Sequence, residues 1–190
     1  MDKISIIIDR IERILAKKDT VIIAIDGPCA SGKSTLAAEL NTRLGGNLFH
    51  IDDFFLQSYQ RTEERLLEIG GNFDYERFTA EVIEPLKKRE TVLYRPYICY
   101  KGEFGREIPM RYERVNIIEG SYSTHPRLGD YADLKIFVTV SSQEQYERLE
   151  KRNPLLIDRF VNQWIPKENA YFEMFSIKDR ADITVEMREK

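Results

Sequence analysis

The stretch Gly27-Pro-Cys-Ala-Ser-Gly-Lys-Ser34 constrains this chain more than any other. Just upstream, Val21, Ile22, Ile23 and Ala24 form an unbroken apolar run suited to a buried strand. Downstream, Leu36, Leu40 and Leu44 make one stripe of a helix. A turn between strand and helix that carries Gly27 and Gly32 lets successive backbone N–H groups converge on one point. The helix beginning near Lys33 adds its positive dipole end and the unpaired N–H groups of its first turn. Such a nest binds phosphate. The spacing G-x-x-x-x-G-K-[S/T] divides the work: Gly27, Ala30, Ser31, Gly32 and Thr35 wrap the phosphates. Lys33 brings a mobile charge to the β- and γ-phosphates, and Ser34 offers a hydroxyl to magnesium, a hard cation that takes oxygen ligands.

The chain has 190 residues, enough for one domain (1–190) that buries roughly 70% of its unfolded surface. A net charge of −3 and the lack of a long basic block argue against a nucleic-acid surface. Cys29 and Cys99 fit no metal-ligand spacing and read as free cytosolic thiols, Cys29 filling a variable loop position. Near the N-terminus, Asp9, Arg10, Glu12 and Arg13 interrupt any signal-like apolar core. Ile4, Ile7, Ile8, Ile11, Ile14 and Leu15 instead mark one face of an amphipathic helix over 3–18, expected to pack on a sheet rather than on a membrane. These features predict a cytoplasmic protein with a small-molecule partner and leave self-association open.

Further along, 45–55 reads as a turn and a short strand whose end carries Asp52 and Asp53, 73–90 as a helix, and 91–110 as extended segments forming a hairpin. Short apolar runs at 114–120 and 133–140 suit a parallel sheet. Helical patterns cover 142–153 and 154–175, and a last strand falls in 181–187. Strands alternating with helices imply an α/β layered fold whose ligands bind at the carboxyl ends of the strands. Glu119, followed by Gly120, stands at such an end as a metal-side carboxylate. Because neighbouring strand residues point to opposite faces, one of Asp52 and Asp53 addresses the site as the base that a phosphoryl acceptor needs, and spacing alone does not choose between them. Arg148 and Arg152 share one helix face. His50 and His125 lie apart from any metal-ligand cluster and read as structural or solvated, while Trp164, Tyr171, Phe172 and Phe175 read as a core-facing aromatic set.

In order along the chain, "IAIDGPCASGKSTLA", "HIDDFF", "NFDYERF", "IIEGSY" and "RLEKRN" resemble the motifs of the uridine kinase and phosphoribulokinase family of P-loop kinases. The resemblance runs over most of the chain from Val21 onward. It implies the P-loop NTPase fold, a parallel β-sheet sandwiched by helices with a helical lid near 142–160, and an ATP- and magnesium-dependent kinase acting on a hydroxyl. It assigns Asp52 as the catalytic base and Asp74 as the grip on a substrate hydroxyl, although Tyr75 and Glu76 stand where the family has His-Pro. Glu119 takes the magnesium side. Arg148 and Arg152, with Arg159 as a weaker third, become lid arginines that stabilise the transition state. Tyr97 matches a family tyrosine of the acceptor site, but Ile98 replaces the aspartate beside it, and no histidine precedes His125 to read a pyrimidine edge. The other reading is a nucleotide-dependent switch with slow hydrolysis. The Asn-Lys-x-Asp and Asp-x-x-Gly signatures of guanine-type switches do not occur in the sequence.

Overall fold

A computed structural model describes residues 3–187. The chain runs through α1 (Lys3–Leu15), β1 (Val21–Asp26), α2 (Lys33–Leu44) and β2 (Asn47–His50), then a 3₁₀ turn (Ile51–Phe54) and the short α3 (Glu63–Leu67). Next come α4 (Tyr75–Phe78), a π turn (Thr79–Ile83) and α5 (Glu84–Lys88), which together form the helix expected over 73–90. Its first turn starts two residues late because the Asp74 side chain caps it, accepting the Arg77 N–H. The expected hairpin is two small antiparallel ladders: β3 (Val92–Tyr94) with β6 (Ile108–Met110), enclosing β4 (Tyr97–Ile98) with β5 (Glu103–Phe104). The chain closes through β7 (Val115–Glu119), β8 (Leu134–Thr139), α6 (Ser142–Arg152), α7 (Ile157–Arg159), a π turn (Phe160–Trp164), α8 (Ile165–Met174) and β9 (Ile183–Glu186).

Five strands form one parallel sheet in the order β2-β7-β1-β8-β9. Both faces are covered, which is why β1 and β7 are buried on successive residues rather than on alternate ones. Val21, Ile23 and Ile25 of β1 join Ile4, Ile7 and Ile11 of α1 and Leu36 and Leu40 of α2 in one buried cluster. Ile22 and Ala24 point the other way, into a larger cluster with Phe49, Phe54, Phe73, Phe78, Val82 and Tyr171. The N-terminal helix thus packs on the sheet as expected, although its regular turns stop at Leu15 rather than at 18.

Two expectations change. Asp52 and Asp53 do not end a strand: β2 pairs with β7 only as far as His50↔Glu119, and the aspartates ride on the 3₁₀ turn that follows. The rule that neighbouring strand residues face opposite ways therefore does not govern them. The aromatic set is also split. Tyr171 is fully buried with Phe172 and Phe175 packed against it, while Trp164 is half-buried and meets Phe160 edge to face with ring centres 4.5 Å apart.

Candidate active site

The loop after β1 is shaped by what surrounds it. A Cβ on Gly27 would lie 2.3 Å from the Val138 carbonyl oxygen, so β8 leaves room only for glycine there. Gly32 caps α2 in the left-handed region at φ 97°, aiming the first turn of that helix into the loop. Ser31 is buried within the loop and donates its N–H to the Pro28 carbonyl at 3.1 Å. Lys33 is buried too, its Nζ folded onto the same carbonyl at 2.8 Å, while Ser34 and Thr35 lie exposed on the first turn of α2.

At the neighbouring strand end, the Glu119 carboxylate converges on this turn. Both its oxygens lie 3.2 Å from Ser34 Oγ, and His50 Nδ1 meets Glu119 Oε1 at 2.6 Å. His50, expected to be structural or solvated, belongs to the site because β2 and β7 pair His50 with Glu119. That hydrogen bond holds the imidazole above its ordinary range, with partial burial opposing it. Asp52 is open to water on one side, but protein crowds its carboxyl on the others. This desolvation and the charge of Glu119 raise its pKa, while Lys33 and His50 pull it down. Asp52 takes no hydrogen bond from a described residue, whereas Asp53 accepts one from Tyr94 Oη at 3.2 Å. The two aspartates are thereby separated: Asp53 is spent on the hairpin, and Asp52 shares its surroundings with Lys33, Glu119 and His50.

The elements flanking the aspartate turn are those expected to hold an acceptor. Both α4 and β4 pack against Ile51–Phe54. Arg77 pins the turn, donating to the Asp53 carbonyl at 2.8 Å and to the Arg95 carbonyl at 2.9 Å while its guanidinium lies over the Phe54 ring. The Asp74 carboxylate is buried and already engaged, by Arg77 N–H at 3.0 Å and by Gln60 Nε2 at 2.9 Å. Tyr97 is buried against Phe104, their ring centres 5.5 Å apart. His125 lies in the core, stacked between Tyr75 and Tyr171; its Nδ1 accepts the Arg127 N–H, which leaves Nε2 to donate to the Ile69 carbonyl.

The two arginines expected on a lid part company. Arg152 is exposed in the last turn of α6, whereas Arg148 donates to the loop carbonyl of Ala30 at 2.9 Å and to the Met187 carbonyl at 2.6 Å. Two acids not singled out from the sequence also hold the loop. Asp26, the last residue of β1, is buried and accepts from Gly27 N, Tyr122 N, Thr124 N, Thr124 Oγ1 and Tyr171 Oη. Glu168 of α8 is buried and accepts from Cys29 N and Ser121 Oγ. Burial and this carboxylate push the Cys29 thiol up to about 12, so it is inert at neutral pH.

A phosphate-binding loop at the end of a central strand, with a second carboxylate on the adjacent strand end, defines a P-loop nucleotide-binding protein. Known proteins narrow this class. The chain is 26% identical over 129 residues to uridine-cytidine kinase D of Dictyostelium discoideum, a match covering 66% of this chain and 25% of that protein. The chain therefore spans only about a quarter of the length of that curated relative. No family model matches. Among solved structures, the fold is similar to that of a "possible uridine kinase" from Bacillus stearothermophilus, with TM-score 0.71 and 20% identity, over 95% of this chain and 99% of the other. It is also similar to a shikimate kinase from Acinetobacter baumannii in complex with shikimate, with TM-score 0.52 and 17% identity, over 93% and 88%. The structural likeness establishes the P-loop kinase fold, and the sequence match adds a similarity to one uridine-cytidine kinase. No described helix is long and apolar enough to cross a membrane.

Proposed function

We propose that this protein is an ATP- and magnesium-dependent phosphotransferase that moves the γ-phosphate of ATP to a hydroxyl of a small nucleoside-like molecule. The observation that carries the reading is the meeting of Ser34 Oγ and the Glu119 carboxylate at 3.2 Å beside Asp52. A hydroxyl and a carboxylate at that spacing are hard oxygen donors of the kind magnesium takes, and the loop amides and Lys33 suit a polyphosphate, so the residues fit both groups. Bound there, MgATP supplies the phosphoryl group and neutralises its developing charge. Lys33 leaves the Pro28 carbonyl to pair with phosphate oxygens. Ser34 and Glu119 hold the metal or its waters, and His50 orients Glu119. Asp52 takes the proton from the acceptor hydroxyl. Asp74 and Tyr97 line the acceptor side, Asp74 gripping a hydroxyl by exchanging Gln60 for it, and Arg152 meets the phosphates from the lid segment 142–160.

The acceptor differs from a pyrimidine nucleoside in this reading. Ile98 sits where the family aspartate would read the base, and Tyr97 is packed on Phe104. A site without its polar readers forfeits the discrimination they provide. The test is ADP release from purified protein with saturating MgATP and a panel of nucleosides, ribosides and small alcohols. Release that depends on one acceptor supports the kinase; steady hydrolysis without any acceptor, or only on meeting another protein, supports the switch instead. A kcat/KM for uridine or cytidine above about 10⁴ M⁻¹s⁻¹ would make this an ordinary pyrimidine nucleoside kinase and refute the acceptor assignment.

A further inference from the structure

Three side chains from the C-terminal helices reach the crest of the phosphate loop and hold three successive peptide units. Glu168 Oε2 accepts the Cys29 N–H at 2.8 Å, Gln145 Nε2 donates to the Cys29 carbonyl at 2.9 Å, and Arg148 donates to the Ala30 carbonyl at 2.9 Å. All three are themselves fixed. Gln145 and Glu168 are buried, Glu168 also takes the Ser121 hydroxyl at 2.7 Å, and Arg148 is braced by Glu144 and the Met187 carbonyl.

What they grip is a backbone that an L-residue resists. Ala30 has φ 58°, in the left-handed region where its Cβ crowds the following carbonyl. Such a residue persists only where its surroundings hold it. In a planar peptide the C=O and N–H point in opposite directions. Drawing the Cys29 carbonyl toward α6 therefore turns the Ala30 N–H away from that helix, which leaves it unspent there and available to an anion-binding nest.

We propose that Gln145, Arg148 and Glu168 form a clamp that keeps the Cys29–Ala30 crest in its phosphate-binding shape, so that all three act as positioning residues for nucleotide affinity. Arg148 then works through the loop rather than as a lid arginine. The inference rests on the loop being a nucleotide site, and the experiment separates the two. MgATP affinity is measured by calorimetric titration, alongside melting temperature and steady-state kinetics, for wild type, Glu168→Ala, Glu168→Gln, Gln145→Ala, and Glu168→Ala combined with Ala30→Gly. Release of one left-handed residue corresponds to roughly tenfold in an equilibrium constant. Glu168→Ala should therefore weaken MgATP by about that factor, raising KM for ATP far more than it lowers kcat. Glu168→Gln, whose amide oxygen still accepts the Cys29 N–H, should recover most of the loss. Ala30→Gly should restore several-fold in the Glu168→Ala background, because glycine takes positive φ without that penalty. Gln145→Ala gives a smaller loss in the same direction and tests the clamp if Glu168→Ala does not fold. Wild-type affinity in both alanine variants, or no rescue by Ala30→Gly, overturns the clamp alone. A wild-type protein that binds no MgATP overturns the clamp and the proposed function together.

Discussion

Replacing Asp26 by asparagine tests how the phosphate loop is anchored to the sheet. Asp26 Oδ1 accepts Gly27 N–H at 2.7 Å and Tyr122 N–H at 3.2 Å. Oδ2 accepts Thr124 N–H at 2.9 Å, the Thr124 hydroxyl at 2.7 Å and the Tyr171 hydroxyl at 2.8 Å. The amide introduced by Asp26→Asn keeps one oxygen and must turn its NH₂ to the other side. With NH₂ replacing Oδ2, both hydroxyls can rotate to accept from it, but the Thr124 N–H cannot and is left facing a donor. The opposite orientation orphans two backbone N–H groups, so the first is adopted. A buried donor left without a partner costs about 1–3 kcal/mol, and hydrogen bonds to a neutral oxygen are about half as strong as those to a carboxylate. Removing a buried charge gives some of this back. The net loss is about 3 kcal/mol, which in a chain of this length lowers Tm by roughly 6–12 °C. Far-UV circular dichroism melts of wild type and Asp26→Asn, run at the same pH, measure it. A fall of less than about 2 °C would show that the five donors do not depend on the carboxylate, and the reasoning fails.

Three further outcomes are expected. Lys33→Ala abolishes phosphoryl transfer in an ADP-release assay, since none of the loop's other side chains carries a positive charge; wild-type turnover would sink the loop assignment. Asp52→Asn binds MgATP normally by calorimetry but loses about 10²- to 10⁴-fold in turnover, the range of a removed general base, while a larger loss in Asp53→Asn would move the base to the neighbour. For His50, Glu119 raises the folded-state pKa above the ordinary 6.5. The ion pair therefore stabilises the fold fully below that ordinary value, and the benefit is lost as pH rises through the raised one. The Tm advantage of wild type over His50→Gln should be largest below the ordinary imidazole pKa of 6.5 and shrink as pH rises above it, and an advantage that grew with pH would contradict the pairing.

What could be read ahead was whatever a short stretch of chain decides for itself. The apolar runs of β1, β7 and β8, the isoleucine stripe of α1 and the glycine spacing of the loop are such cases, and the structure places each where local chemistry puts it. The aspartate turn was missed because β2 ends where its neighbour ends, at His50↔Glu119, and a ladder's last rung depends on a strand 69 residues away. The same distance hid His50. An isolated histidine carries no spacing signal, and only the β2–β7 register brings it against Glu119. Glu168 is the extreme case, 139 residues from the Cys29 N–H that it holds, in a helix where an acidic residue would ordinarily be read as solvated. Its burial is what distinguishes it. A carboxylate is tolerated inside a protein only where donors await it, and here those donors are the Cys29 N–H of the phosphate loop and the Ser121 hydroxyl two residues beyond Glu119. Glu168 thus ties both halves of the proposed site, the loop and the metal-side strand, to α8. A displacement of that helix would be felt in the loop and beside Glu119 at once.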